Sequence, residues 1–178
     1  MSLITIKDKQ FRLSIDSDII LEAVKKVGEQ INLDLADKNP MFICVLNGAF
    51  MFAGDLMKVV NIPCEITFIK LSSYEGLYTS GSVKEVLGLS ESVVGRNVVV
   101  VEDIVDTGIT MEKIITSLES KGANSIKIAT FLQKPAALQR DISVDYVAME
   151  IPNDFIVGYG LDYDGYGRNL KDIYTVVD

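Results

Sequence analysis

Residues 98–110 read VVVVEDIVDTGIT, a bare apolar run that empties into two adjacent acids, a third acid and a Thr-Gly-x-Thr turn. Val98 to Val101 are all β-branched and follow Gly95 and Asn97, which predicts a strand buried on both faces of a parallel sheet. In open α/β sheets the carboxyl ends of such strands border the ligand crevice. From Gly108 onward the spacing of Ile109, Met111, Ile114, Ile115 and Leu118 predicts the apolar face of a helix that stops near Lys121 and Gly122. The free N–H groups of that helix start, with the macrodipole behind them, make an anion site. Thr107 and Thr110 add hydroxyl donors, and Gly108 admits an anion close to the main chain.

The acids narrow the ligand. Glu102 and Asp103 are expected to end the buried strand, where an unpaired charge is expensive, so a hydroxyl-rich or metal-bearing ligand is the natural partner. Asp106 follows one turn away. No GxxxxGK[ST] occurs in the chain, which excludes the nucleotide P-loop, and the turn has one glycine where a dinucleotide fingerprint has three.

Elsewhere the pattern alternates. Ser17 or Asp18 is expected to cap a helix with Ile20, Val24, Val27 and Ile31 on its apolar face, ending before Asn39-Pro40. Met41 to Leu46 reads as a strand, Asn47-Gly48-Ala49 as a turn, Phe50 to Val59 as a helix and Cys64 to Leu71 as a strand. The segment Ser72 to Ser82 is polar, glycine-bearing and long for a connection, in the manner of a lid or a disordered link. Strands are expected at Val83 to Leu87, Ser125 to Leu132, Asp145 to Met149 and Phe155 to Gly160. Strands alternating with helices predict an α/β fold with a mostly parallel sheet, as one domain over residues 1–178.

Composition excludes several classes. With 17 basic against 25 acidic residues the formal charge is −8, which argues against nucleic acid or an anionic membrane as the main partner. The apolar stretches are short and broken by charge, and no basic-then-apolar leader opens the chain, so a cytoplasmic, membrane-free protein is expected. Cys44 and Cys64 sit among apolar residues without metal-like spacing, as reduced core thiols do. The chain has no histidine, so a general acid or base must be a carboxylate, Lys, Tyr or Cys.

The run VVVVEDIVDTGIT closely resembles the motif with which type I phosphoribosyltransferases bind phosphoribosyl diphosphate (PRPP). Four further places resemble the members with hypoxanthine-guanine specificity. Leu46-Asn47-Gly48 resembles the diphosphate-binding loop, in which the family often has a basic residue and a cis peptide; here the middle residue is the uncharged Asn47. Ser73-Tyr74 heads a loop that in the family closes over the reaction centre. Lys134, within FLQKPAAL, resembles the residue that contacts the six-position oxygen of the purine. Ile151 to Leu170, IPNDFIVGYGLDYDGYGRNL, resembles the C-terminal signature. Taken alone, an Asn-Gly pair is an ordinary turn, a lysine after a strand a solvated charge, and Phe155 a core aromatic.

The resemblance implies an open sheet flanked by helices, with a small hood built from the N- and C-terminal segments. It implies a magnesium-dependent enzyme of purine salvage, taking PRPP with hypoxanthine or guanine to a nucleotide and diphosphate. Asp106 would accept or hold the purine N7 proton, and Ser73 and Tyr74 would close the lid. Glu102 and Asp103 would anchor the ribose hydroxyls directly or through metal-bound water. Backbone amides from Asp106 through Thr107, Gly108, Ile109 and Thr110 would grip the 5'-phosphate, with Ile104 and Val105 also substrate-binding. Phe155 would stack on the base, main-chain groups of Ile156 and Asp162 would read its edge, and Arg168 would meet the diphosphate. Mg2+ would be held by Glu102, Asp103 and Asp162. A homo-oligomer, dimer or tetramer, is implied as well. Lys134 and the Phe155 signature disfavour adenine and leave xanthine open. A PRPP-binding regulator of nucleic acid is disfavoured by the acidic chain.

Overall fold

The apolar stretches pack in alternating layers, and a computed structural model describes the result for residues 3–71 and 85–177. Six strands form the main sheet: β3 (Met41–Leu46), β4 (Glu65–Leu71), β5 (Glu85–Leu87), β6 (Asn97–Val105), β7 (Ser125–Gln133) and β8 (Tyr146–Glu150). Their order is β5-β4-β3-β6-β7-β8, parallel throughout except for the edge strand β5. The valine run of β6 is therefore central and buried, as its uninterrupted β-branching predicts.

Helices cover both faces. Phe42, Cys44, Val99, Val101, Ala129 and Phe131 point to one side and pack under α1 (Ser17–Asp34) and α2 (Phe50–Val59). Met41, Ile43, Val45, Val98, Val100 and Ile128 point to the other, under Met111, Ile114 and Leu118 of α3 (Ile109–Ser120). The period of two along each strand meets the helical period of Ile20, Val24, Val27 and Ile31 in α1. Gly28 of α1 permits close helix contact, because a Cβ there would press on Val59 of α2.

A second, four-stranded antiparallel sheet has the order β1-β2-β10-β9, joining β1 (Leu3–Ile6) and β2 (Lys9–Ile15) to β9 (Ile156–Val157) and β10 (Ile173–Val177). Phe11, Val157 and Tyr174 form its core. This is the hood of N- and C-terminal segments that the resemblance implied. The β1–β2 hairpin was not among the sequence expectations, although Phe11, Leu13 and Ile15 alternate with polar neighbours.

Several boundaries differ from expectation, among them β7 ending at Gln133 in place of Leu132 and β8 spanning Tyr146–Glu150 in place of Asp145 to Met149. The cap of α1 is Asp16, with extended backbone and a carboxylate that accepts the Asp18 N–H at 3.0 Å, in place of Ser17 or Asp18. Strand β4 starts at Glu65. Strand β6 runs on through Glu102 and Asp103 to Val105, because its pairing with β7 continues from Glu102↔Thr130 to Val105↔Gln133. Of Phe155 to Gly160 only Ile156–Val157 is strand, since Gly158, Tyr159 and Gly160 all take positive φ. Among the described residues no helix is long and apolar enough to cross a membrane.

Candidate active site

Pairing between β3 and β6 ends at Cys44↔Val101, while β6 stays paired with β7 four residues further, to Val105. The helices that follow β3 and β6 lie on opposite faces of the sheet. The chain thus reverses its direction of travel between these two strands, which is where open α/β sheets hold ligands. The two strand ends deliver Leu46-Asn47-Gly48 and Glu102 to Thr110 to the same crevice.

On the β3 side the Leu46–Asn47 peptide is cis, Asn47 is exposed and Gly48 is buried. On the β6 side Glu102 is 7% exposed, and its Oε1 accepts the Asp103 N–H at 3.1 Å. Burial, together with the adjacent Asp103 charge, pushes the Glu102 carboxyl well above the usual carboxylate range. Asp103 Oδ1 accepts the Ile104 N–H at 2.8 Å, and its other oxygen faces Gly48 so closely that a Cβ there would overlap the carboxylate. Glycine at position 48 is therefore a requirement of the crevice.

Past β6 the backbone frees its donors. Gly108 adopts φ 81°, and a Cβ would meet Leu138, Ile142 and Arg140 at 3.0 to 3.3 Å, so the glycine is needed for the left-handed turn and for this packing. Ile109 N–H reaches the Thr107 hydroxyl at 3.4 Å and Glu112 N–H reaches the Gly108 carbonyl at 2.9 Å. Among the described residues the N–H groups of Thr107, Gly108 and Thr110 have no acceptor, the usual state of a helix N-terminus before an anion binds. Thr107 carbonyl is braced by Gln139 N–H at 3.0 Å, and Arg140 pairs with Glu112. Ile104 and Val105 pack their side chains into opposite cores, so main-chain groups are what they can offer a ligand. The half-buried Asp106 stands at the mouth of this turn.

Lys134 directly follows β7, its N–H on the Val105 carbonyl at 3.0 Å, and is only 9% exposed. Among the described residues its ammonium has neither an ion pair nor a hydrogen bond. No buried side-chain nitrogen lacks a partner among the described residues, so the aliphatic stem is what is buried, and the ammonium at its tip is free for an acceptor that arrives with a ligand.

The C-terminal signature folds back on itself. Tyr159 N–H donates to the Leu170 carbonyl at 2.8 Å, and Gly160 N–H to the Arg168 carbonyl at 3.0 Å. Arg168 Nη1 donates to the Gly160 carbonyl at 2.7 Å, and Nη2 pairs with Asp162 at 2.6 Å. Asp162 also accepts the Gly165 N–H at 2.7 Å. Ile156 is buried in β9, whereas Phe155 is 46% exposed, its ring edge-on to Tyr163 at 5.8 Å and tilted against Phe11 at 6.3 Å. An aromatic held by two others with one side open suits stacking. The loop meets the crevice through Gly160, where a Cβ would overlap the Gly48 carbonyl.

Not every predicted residue converges. Ser73 and Tyr74 lie outside the described residues. The expected metal triad does not form: among the described residues no three metal-ligating side chains cluster, and Asp162 is held by Arg168 and Gly165 instead. Two hard oxygen donors remain at Glu102 and Asp103. They fit a magnesium ion that brings water and phosphate ligands of its own, its usual manner of binding to proteins. Sequence reasoning missed Tyr159 and Asp55, joined at 2.7 Å; the flanking Gly158 and Gly160 were the available signal.

Comparison with known proteins agrees with this geometry. Residues 15–164 match the phosphoribosyl transferase domain family. A hypoxanthine-guanine phosphoribosyltransferase of Streptococcus thermophilus (strain CNRZ 1066) is 41% identical over 92% of this chain and 91% of its own length. One of Streptococcus pyogenes serotype M3 is 43% identical over the same shares. Among solved structures, a hypoxanthine-guanine phosphoribosyltransferase from Bacillus anthracis superposes with a TM-score of 0.86 at 36% identity, covering 94% of this chain and 97% of that one. A Staphylococcus aureus hypoxanthine phosphoribosyltransferase gives 0.87 at 35%, covering 93% and 91%. With likeness of this extent in both sequence and fold, the chain belongs to the phosphoribosyltransferase family, in its hypoxanthine-guanine branch.

Proposed function

We propose that the protein joins a 6-oxopurine, hypoxanthine or guanine, to the ribosyl group of PRPP, releasing diphosphate and IMP or GMP. The observation that carries this reading is the meeting of Gly48 and Asp103 across the β3–β6 crevice, which sets a diphosphate loop against a ribose-phosphate loop. The bond from the anomeric carbon to diphosphate breaks with its electron pair on the leaving oxygen, and purine N9 forms the new bond. Positive charge grows on the ribose and negative charge on the leaving group, so catalysis is positional and electrostatic.

The residues divide that work. N–H groups of Thr107, Gly108 and Thr110 hold the 5'-phosphate at the start of α3. Glu102 and Asp103 orient the ribose hydroxyls, and they are the side chains that would hold magnesium. When bound, that ion would offset charge on the diphosphate. Asp106 accepts the N7 proton as N9 attacks, Lys134 donates to the six-position oxygen, and Phe155 stacks on the base. Arg168 serves diphosphate only after exchanging or sharing its Asp162 pair. Ser73 and Tyr74 belong to the same reading as a closing loop that excludes water.

A homo-oligomer, dimer or tetramer, goes with the reading and is supported by exposed apolar side chains on α2 and β4, Phe50 at 44%, Ile66 at 44% and Phe68 at 42%. Cytoplasmic residence is supported by the two free cysteines, Cys44 and Cys64.

The test is nucleotide formation from PRPP with hypoxanthine, guanine, xanthine and adenine offered separately, with and without magnesium. Product with hypoxanthine or guanine, abolished by chelation, is expected. PRPP binding without product from any base would replace the enzyme by a PRPP-responsive binding protein.

A further inference from the structure

Gly158, Tyr159 and Gly160 take φ of 102°, 45° and 98° in succession. For the glycines this is free, but a large aromatic residue persists there only when its surroundings over-determine it. Tyr159 is so held: it is 2% exposed, its ring centroid lies 4.7 Å from that of Phe131, its N–H donates to the Leu170 carbonyl, and its hydroxyl donates to Asp55 Oδ2 at 2.7 Å. The other Asp55 oxygen accepts from Lys58 at 2.8 Å, which leaves Oδ2 to the tyrosine.

Asp55 sits on α2, the helix that begins directly after the Gly48 turn and is anchored by the buried Phe52, Ala53 and Leu56. The Tyr159 hydroxyl therefore fastens the C-terminal loop to the element that starts at the other wall of the crevice. One residue on, Gly160 lies against the Gly48 carbonyl with no room for a side chain between them. Its own carbonyl accepts from Arg168 at 2.7 Å. A shift of Tyr159 passes straight to Gly48, Arg168 and the Asp103 carboxylate behind Gly48.

The geometry points to Asp55 as a positioning residue that acts through the Tyr159 hydroxyl, setting how closely the base-side loop meets the diphosphate loop and hence the affinity for both substrates. The inference rests on the phosphoribosyl-transfer reading of the crevice.

A second tyrosine–aspartate bond supplies the control. Tyr146 is 4% exposed and donates to Asp34 Oδ2 at 3.1 Å, joining β8 to the end of α1. Purified full-length Tyr159→Phe, Asp55→Ala, Asp55→Asn and Tyr146→Phe would be compared for Tm, for kcat and KM toward each substrate, and for PRPP Kd by calorimetry. Tyr159→Phe and Asp55→Ala are expected to raise PRPP Kd and both KM values about five- to tenfold, a part of what loss of one hydrogen bond to a charged acceptor costs because the bond acts on the substrates indirectly, with a smaller change in kcat. Asp55→Asn, which keeps an acceptor oxygen, should recover most of the loss. Tyr146→Phe should lower Tm as Tyr159→Phe does and leave Kd and KM at wild-type values. Wild-type affinities in Tyr159→Phe, or an equal loss in Tyr146→Phe, would overturn the positioning role. A wild-type protein that neither binds PRPP nor forms nucleotide would instead overturn the functional reading, and the inference with it.

Discussion

Gly48 and Asp103 touch across the crevice, the glycine's missing side chain making room for a carboxylate oxygen from the neighbouring strand. A methyl group at position 48 would occupy that oxygen's place, so either the β3 turn or the acid must move. Gly48→Ala is expected to cost roughly 1–3 kcal/mol of stability, the range for forced overpacking. PRPP affinity should fall by more than the stability does, because both walls of the proposed diphosphate site are displaced. Calorimetric titration with PRPP beside thermal unfolding separates the two effects. In an Asp103→Ala background the clash is gone, so Gly48→Ala should then be nearly neutral for Tm. Unchanged PRPP affinity in the single variant would remove the Gly48 turn from the ligand site.

Asp106 stands half-buried where the chain leaves β6 for the donor-rich turn. With no histidine in the chain, it is the group assigned to hold the purine proton. Asp106→Asn keeps shape and hydrogen bonding while removing the base. Turnover should drop by about 10²- to 10⁴-fold, the usual worth of general acid–base catalysis, with PRPP affinity nearly unchanged. Single-turnover kinetics with a parallel PRPP titration measures both. Equal losses in affinity and rate would make Asp106 a ligand-positioning group.

Much of this architecture was legible because it is written locally. The α1 stripe, the all-apolar β3 and the β6 valines each carry their own periodicity, and Met41–Leu46 and Phe50–Val59 fall where composition and the Asn-Gly turn put them. Local signals were less informative about strand ends. The acids of β6 suggested a terminus, yet pairing with β7 carries the strand through them. At Phe155 to Gly160 an apolar run reads as strand, but left-handed backbone at Gly158-Tyr159-Gly160 ends it after Val157. The bonds that assemble the site join residues distant in sequence. Tyr159 and Asp55 are 104 positions apart, and no short-range pattern announces their meeting. Arg168 and Asp162 were each assigned to a ligand from the resemblance, whereas here they neutralise one another.

Lys134 separates function from stability. The side chain just after β7 is 9% exposed and its ammonium has no hydrogen bond or ion pair among the described residues, while no buried side-chain nitrogen there is left without a partner, so the ammonium reaches solvent and adds little to stability. Lys134→Met keeps the aliphatic volume and removes the charge. Tm is expected to hold or rise, while kcat/KM for hypoxanthine and guanine falls about 10- to 100-fold, the worth of a hydrogen bond from a charged donor. Discrimination against adenine should weaken, since no donor would remain for the six-position oxygen. Full activity in Lys134→Met would return the residue to the role of a snorkelling surface lysine.

Asp172 links the second sheet to the start of α1 and gives stability a predictable pH dependence. It is 7% exposed, and its Oδ1 accepts the Ser17 N–H at the start of α1 at 2.8 Å and the Lys171 ammonium at 3.1 Å. Burial alone would raise its pKa, but the Ser17 N–H and Lys171 together outweigh burial and hold the carboxyl below its ordinary 3.8. A carboxylate depressed in the folded state releases its proton more readily there than in the unfolded chain, so its stabilisation is fully present above the ordinary value and is lost as pH falls through the folded value. Asp172→Asn should therefore be less stable than wild type at neutral pH by about 1 kcal/mol, the usual worth of a helix N-terminal cap, which is about 2–4 °C in Tm for a chain of this size. The gap should narrow only below pH 3.8, where the wild-type carboxyl takes up its proton. Urea unfolding of both proteins across that range measures it, and a gap that stayed constant with pH would show that shape, and not charge, is what Asp172 contributes to the junction.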